Sequence, residues 1–260
     1  MSPLAVFFIL LALAILVAGG WFIYTHFIAP KEGFVPEDFT KNEAGRMVYT
    51  GNDPDVNARF GIDVSEFQLL IDWERVKADG VTFVYVRAGY RGYGTGKLKE
   101  DGLVRQNVTG ARAVGLDVGV YFYSQAISEA EAEEEAEFLL KTIEGLDLTL
   151  PPAIDIEKSE ASDARTKDLT GEDWTIIAVA FSERMLREGI TPMVYGNREA
   201  FEKKLDRKFF PKARIWYANY SSLKKRTVFD IWQYDQHGHV DGIEPEVDFD
   251  IMMTDLSIRK

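Results

Sequence analysis

The chain has 260 residues, 46% apolar and 13% aromatic, enough to bury one large core and too apolar to stay disordered. A formal charge of -12 and a pI near 4.8 set a repulsive field against nucleic acid and anionic membrane surfaces. With no cysteine, disulfides, thiolate chemistry and cysteine metal sites are excluded.

Pro3 to Ile28 contain no Asp, Glu, Lys or Arg, and Leu4 to Tyr24 are almost wholly apolar, long enough to cross a ~30 Å hydrocarbon layer as a helix. Residues 1–29 therefore read as a transmembrane anchor, with Trp21, Tyr24 and Lys31 at its interfacial end. A cleaved signal peptide is the competing reading, since Ala18-Gly19-Gly20 offers small residues. Against it stand an over-long apolar run and the lack of a basic leader. Residues 30–58 are rich in Gly, Pro, Asn and Asp without sustained periodicity, and read as a tether, though Met47-Val48-Tyr49 is apolar enough to pack.

From Arg59 onward, short apolar runs alternate with amphipathic ones, the pattern of βα units around a parallel sheet. Eight strands are predicted: Phe60-Val64, Thr82-Ala88, Asp117-Ser124, Pro152-Glu157, Pro192-Tyr195, Arg214-Ala218, Asp230-Tyr234 and Val247-Ile251. Helices are predicted over Trp73-Ala78, Gly102-Ala113, Ser128-Ile143, Glu172-Glu188 and Glu199-Leu205. Ser128 and Glu131 form a capping-box pattern, so the acidic run Glu129 to Glu137 reads as a solvated helix face. Eight strands in residues 59–260 suit an α/β fold, an irregular TIM-like (β/α) barrel with few helices on its last side, whose site lies at the C-terminal ends of the strands.

The stretch Leu150-Pro151-Pro152-Ala153-Ile154-Asp155-Ile156-Glu157 reads as a buried strand ending in two carboxylates. Residues i and i+2 of a strand share a face, so Asp155 and Glu157 project together, about 7 Å apart at Cα, and each raises the other's pKa as a general acid requires. For an isolated D-x-E the simpler reading is pairing with Lys or Arg. Here Asp63 at the end of the first strand and Asp248 on the last bring four carboxylates toward one mouth. Tyr121, Phe122, Tyr123, Trp216, Tyr217, Tyr220, Trp232 and Tyr234 lie on or beside strands. Each alone is as well explained by core packing, but aromatics and acids together describe a sugar cleft. Asp155, Glu157, Asp248 and Asp250 also supply hard oxygen donors for a divalent cation, yet the reading takes no metal and no cofactor. No G-x-S-x-G elbow or phosphate-cradling glycine loop is present.

Phe60-Gly61-Ile62-Asp63-Val64-Ser65-Glu66-Phe67-Gln68, Ile71-Asp72-Trp73, Val86-Arg87-Ala88-Gly89-Tyr90, Gly119-Val120-Tyr121-Phe122-Tyr123-Ser124, Ala153-Ile154-Asp155-Ile156-Glu157, Ile231-Trp232-Gln233-Tyr234 and Val247-Asp248 stand in an order that resembles the family 25 glycoside hydrolases, lysozymes of the Chalaropsis and phage-endolysin type. The resemblance covers about residues 59–255. It implies cleavage of the β-1,4 bond between N-acetylmuramic acid and N-acetylglucosamine in peptidoglycan. It makes Glu157 the acid, Asp155 its companion, Asp63 and Asp248 further site carboxylates, and Tyr121, Tyr123, Trp216, Gln233 and Arg87 substrate-binding candidates. Phe67 stands where a His is common, Leu69 where a Gly is frequent, and Pro245 alters a glycine-rich approach to Asp248. These departures bear on glycan preference more than on the acids. Peptidoglycan strands are then the partner, and the expected location is the cytoplasmic membrane, single-pass, with the barrel outside. A non-catalytic, membrane-tethered peptidoglycan-binding module is the alternative from another class. Oligomeric state is not fixed by the sequence.

Overall fold

The structure, a computed structural model, describes residues 33–159 and 161–258. The expected anchor, residues 1–29, lies outside the described residues, among which no helix is long and apolar enough to cross a membrane.

A small hairpin comes first, β1 (Phe39–Lys41) against β2 (Met47–Tyr49), antiparallel. Eight strands then close a barrel: β3 (Arg59–Val64), β4 (Phe83–Arg91), β6 (Asp117–Tyr123), β7 (Ala153–Asp155), β8 (Met193–Asn197), β9 (Arg214–Ala218), β10 (Ile231–Gly238) and β11 (Val247–Met252), while the short β5 (Leu98–Glu100) folds back on β4. Helices α1 (Trp73–Ala78), α2 (Val104–Ala113), α3 (Glu129–Thr142), α4 (Gly171–Arg187) and α5 (Arg198–Lys203) fall where the periodicity places them. Their starts have chemical causes. Asp72 accepts from the Arg75 amide, Ser128 from the Glu131 amide, and Thr170 and Asp173 cap each other reciprocally.

All eight predicted barrel strands are present, but one runs the other way. β3 and β4 pair in parallel, as do neighbours from β4 through β10, whereas β11 is antiparallel to both β10 and β3. Reversal puts the N-terminal end of β11 at the mouth formed by the C-terminal ends of the others. Asp248 consequently pairs with Asp63 across the β3–β11 seam.

Period-2 alternation sorts the barrel into two cores. Phe83, Tyr85, Ala153, Met193, Tyr195, Trp216, Ala218, Ile231 and Met252 fill the interior, while Ile62, Val84, Val86, Ile154, Val194, Ile215 and Ile251 face outward under the covering elements. Gly61 and Gly119 make room inside: a Cβ at either would sit 2.3 Å from the Phe83 ring or 2.4 Å from the Tyr85 ring.

No helix lies between β9 and β10 or between β10 and β11, and the outer face there is covered by the segment that the sequence suggests is a tether. Phe34 pairs by a β-bridge with Thr227 and rests 5.1 Å from the Phe229 ring, and Phe39 lies edge-on to Trp232 at 5.1 Å. The Met47 amide donates to the Tyr234 hydroxyl, and Arg46 stacks over Phe60 while donating to Asp79. The tether reading of 30–58 therefore fails from Phe34 on, where the chain packs as part of one compact unit. Strands of three residues are too short to leave a periodic trace. The prediction for the fourth strand is also too long: β7 stops at Asp155, and Glu157 sits on the loop beyond.

Candidate active site

The mouth of the barrel holds a groove of about 540 Å³ into which Asp63, Arg87, Tyr121, Tyr123, Asp155, Glu157, Trp216, Gln233 and Asp248 all project. Inward positions of the strands supply them: Asp63 near the end of β3, Arg87 on β4, Tyr121 and Tyr123 on β6, Asp155 at the end of β7, Trp216 on β9, Gln233 on β10 and Asp248 near the start of β11. Thus the nine residues singled out by sequence meet at one place, although Glu157 arrives there from a loop rather than from the strand.

Burial governs the acids. Asp155 is 7% exposed and its Oδ1 is enclosed without a hydrogen-bond partner. That loss of hydration, reinforced by the charge of Glu157, holds its carboxyl well above the ordinary range against the opposing pull of Arg87. Asp63 is likewise pushed up by burial and by Asp248 and Asp250, with the Gln233 amide working against them. Asp248, less enclosed, is raised by burial to about 6. The groove is thus a cluster of carboxyls that cannot all ionise together near neutrality.

Gln233 is held in one orientation. Its side-chain oxygen accepts from the hydroxyls of Tyr195 at 2.9 Å and Tyr220 at 2.8 Å, which turns its amide nitrogen toward Asp63 Oδ2 at 2.6 Å. A flipped amide would lose its bond to Asp63 and set its oxygen against that carboxylate. Gln233 therefore acts as a fixed donor to Asp63.

Two predicted binding residues are less open than expected. Trp216 is only 1% exposed, packed against Tyr85 at 4.6 Å and Tyr195 at 5.0 Å with its indole N–H on Asp250, so it is the floor of the groove rather than a free stacking face. Arg87 donates to Asp101 at 2.9 Å and pairs with Glu66 at 3.3 Å, so its charge is already engaged. Phe67 and Tyr90 flank that guanidinium, 4.8 and 5.2 Å from the ring centroids. Phe67, 69% exposed, is the most open aromatic lining the groove.

Sequence reasoning overlooked Tyr93, Tyr195 and Gln236, which also line the groove. Tyr195 had a usable signal, since it alternates with Met193 on a predicted strand and so faces the same interior. Tyr93 and Gln236 gave none, because a loop and a bulged strand end, where the β10–β11 register shifts, have no period to read.

Residues 62–243 match the family described as Glycosyl hydrolases family 25. The autolytic lysozyme of Clostridium acetobutylicum is 28% identical over 196 residues, covering 73% of this chain and 54% of that protein. Among solved structures, the modular autolysin LytC of Streptococcus pneumoniae, in complex with a synthetic peptidoglycan ligand, superposes with a TM-score of 0.68 at 25% identity, covering 85% of this chain and 52% of that one. A bacterial lysozyme from Streptomyces coelicolor shares the fold with a TM-score of 0.61 at 24% identity, covering 75% and 91%. The chain spans about half the length of the first two relatives.

Proposed function

The chain belongs to glycosyl hydrolases family 25, and from that membership we propose that it is a muramidase, hydrolysing the β-1,4 bond between N-acetylmuramic acid and N-acetylglucosamine in peptidoglycan. The observation that carries this reading is the meeting of Asp63, Asp155, Glu157 and Asp248 in one groove walled by tyrosines. Carboxyls held partly protonated beside aromatic rings suit acid-base chemistry on a sugar.

In the reaction we envisage, Glu157 gives its proton to the glycosidic oxygen as the C1–O bond breaks. The carbonyl oxygen of the substrate's own 2-acetamido group closes on C1, Asp155 takes the hydrogen bond of the acetamido N–H, and water then opens the ring with its proton returning to Glu157. Asp155 is suited to that role because it lines the groove beside Glu157 at the end of β7. Inversion is the rival route, with water activated by Asp63 or Asp248. The anomer first released, followed by NMR, separates the two: retention fits assistance by the acetamido group, and inversion excludes it.

Muropeptides released from a cell-wall suspension, resolved by mass spectrometry, test the assignment. Wild type releases reducing-end muramic acid, and E157Q is slower by at least about 10²-fold. Near-full activity in E157Q would remove Glu157 from its role. Binding to walls with no reducing ends released by wild type would favour a binding module instead. The proposal includes residues 1–29 as a membrane anchor with the barrel outside, supported by the charge-free apolar run from Pro3 to Ile28. Protease digestion of intact protoplasts checks that arrangement, since a protected barrel contradicts it.

A further inference from the structure

Directly below the groove lies a carboxyl that the proposed reaction does not use. Asp250 follows Asp248 by two residues on β11, so it shares the inward face one step deeper and sits opposite Gly61. It is fully buried. Its Oδ1 accepts the Trp216 indole N–H at 2.8 Å, whereas its Oδ2 is enclosed with no donor to meet it. On the inward face shared by β3 and β11 it is the diagonal neighbour of Asp63, which pairs with Asp248 one step above, and the two carboxyls interact directly.

An ionised carboxylate is acceptor-only, so two of them side by side leave at least one oxygen unsatisfied and two like charges adjacent. One oxygen of each is already committed, Asp250 Oδ1 to Trp216 and Asp63 Oδ2 to Gln233. A single proton held between the two carboxyls removes the second charge and gives the enclosed Asp250 Oδ2 a partner. We propose that Asp250 and Asp63 share one proton and behave as a single monoanion beneath the groove, which makes Asp250 a positioning residue for the hydrolysis proposed above, on which this role rests.

The surroundings favour that state. Facing the pair are Asp248 from β11, the tyrosine hydroxyls of Tyr85 from β4, Tyr121 from β6, Tyr195 from β8 and Tyr220 after β9, with Trp216 and Gln233. Tyr85 is neutral and donates to the Pro151 carbonyl. Arg87, the cation lining the groove, is engaged by Asp101 and Glu66. Among the described residues no positive charge is thus placed to hold two anions together, and burial itself pushes both carboxyls up. Loss of the shared proton would set Asp63 against Asp250 and drive it from the Gln233 amide.

Asparagine at 250 mimics the protonated form, because its oxygen accepts from Trp216 and its amide donates to Asp63. Full-length wild type, D250N and D250L are compared by the pH profile of muropeptide release and by thermal melts across the same range. D250N is expected to keep kcat/KM within about threefold at neutral pH and to move the alkaline limb up by about one pH unit or more, whereas D250L, which has no donor, loses about tenfold or more at every pH. In the melts the pair binds its proton more tightly when folded. Wild-type stability is therefore fully present below the ordinary Asp range and declines as pH rises until the proton is gone, while D250N is flatter and melts higher near neutrality. D250N and D250L equally impaired at all pH, or D250N profiles and melts superimposing on wild type, would overturn the shared proton. If wild type released no muropeptides yet the melts differed as described, the shared proton would stand and the muramidase reading would fall.

Discussion

Cutting the strap that follows residue 33 distinguishes a tether from a structural element. Phe39 is half-buried, with Trp232 at 5.1 Å, Tyr49 at 5.9 Å, Phe34 at 6.0 Å and Phe229 at 6.4 Å. Trp232 and Phe229 beneath it are each only 3% exposed, although no helix precedes or follows β10 to shield them. A fully buried Phe→Ala change costs about 3–5 kcal/mol, so a half-buried one in this cluster should cost about 2 kcal/mol. For a domain of this size that corresponds to a fall in Tm of about 4–8 °C. F39A is measured by calorimetry beside wild type, with muropeptide release as a control that should change little, since the strap lies on the barrel's outer face. A companion truncation is sharper: a fragment from residue 33 should stay soluble, while one from residue 59 exposes Trp232, Phe229 and Tyr234 together and should aggregate. An unshifted Tm in F39A, together with a soluble and active 59–260 fragment, would return the strap to the status of a linker and refute the packing account.

Further outcomes follow from the buried polar groups. Glu135, on α3, is enclosed with Arg91 at 2.7 Å and Ser124 at 2.6 Å, and burial lifts its carboxyl to about 7. Its folded-state pKa lies above the unfolded one, so it penalises the folded state increasingly as pH rises from about 4.5 to about 7; E135Q should flatten that part of the stability curve in urea titrations, and an unchanged slope would contradict the assignment. Y195F and Y220F each remove one of the two hydroxyls that orient Gln233, and each should reduce kcat/KM by severalfold, on the order of one hydrogen bond. The double variant frees the amide to flip and should lose more than the product of the two; simple additivity would show that Gln233 is held by other means.

Much of the molecule was legible along the chain because its causes are local. Alternating apolar residues, capping side chains and helix-length amphipathic runs placed all eight barrel strands and the five α-helices among the described residues, and the fixed face of a strand brought Asp63, Tyr121, Asp155 and Gln233 to the same interior. Where the period ended, so did the reading. Glu157 lies two residues past Asp155, the last bridged residue of β7, and Tyr93 and Gln236 reach the groove from segments with no repeat.

The sequence by itself determined which side chains face inward and which outward, since that depends only on a period of two and on contacts within a few residues. It also determined the family, through motifs in a fixed order. Tertiary structure alone decided the direction of β11, for alternation reads the same from either end of a strand, and that reversal sets Asp248 at the mouth and Asp250 beneath it. It alone decided that Phe34 to Tyr49 close the side of the barrel without helices, and that Tyr195 and Tyr220 meet on one Gln233 oxygen. Each of these depends on partners tens or hundreds of residues apart, brought together only when the barrel shuts.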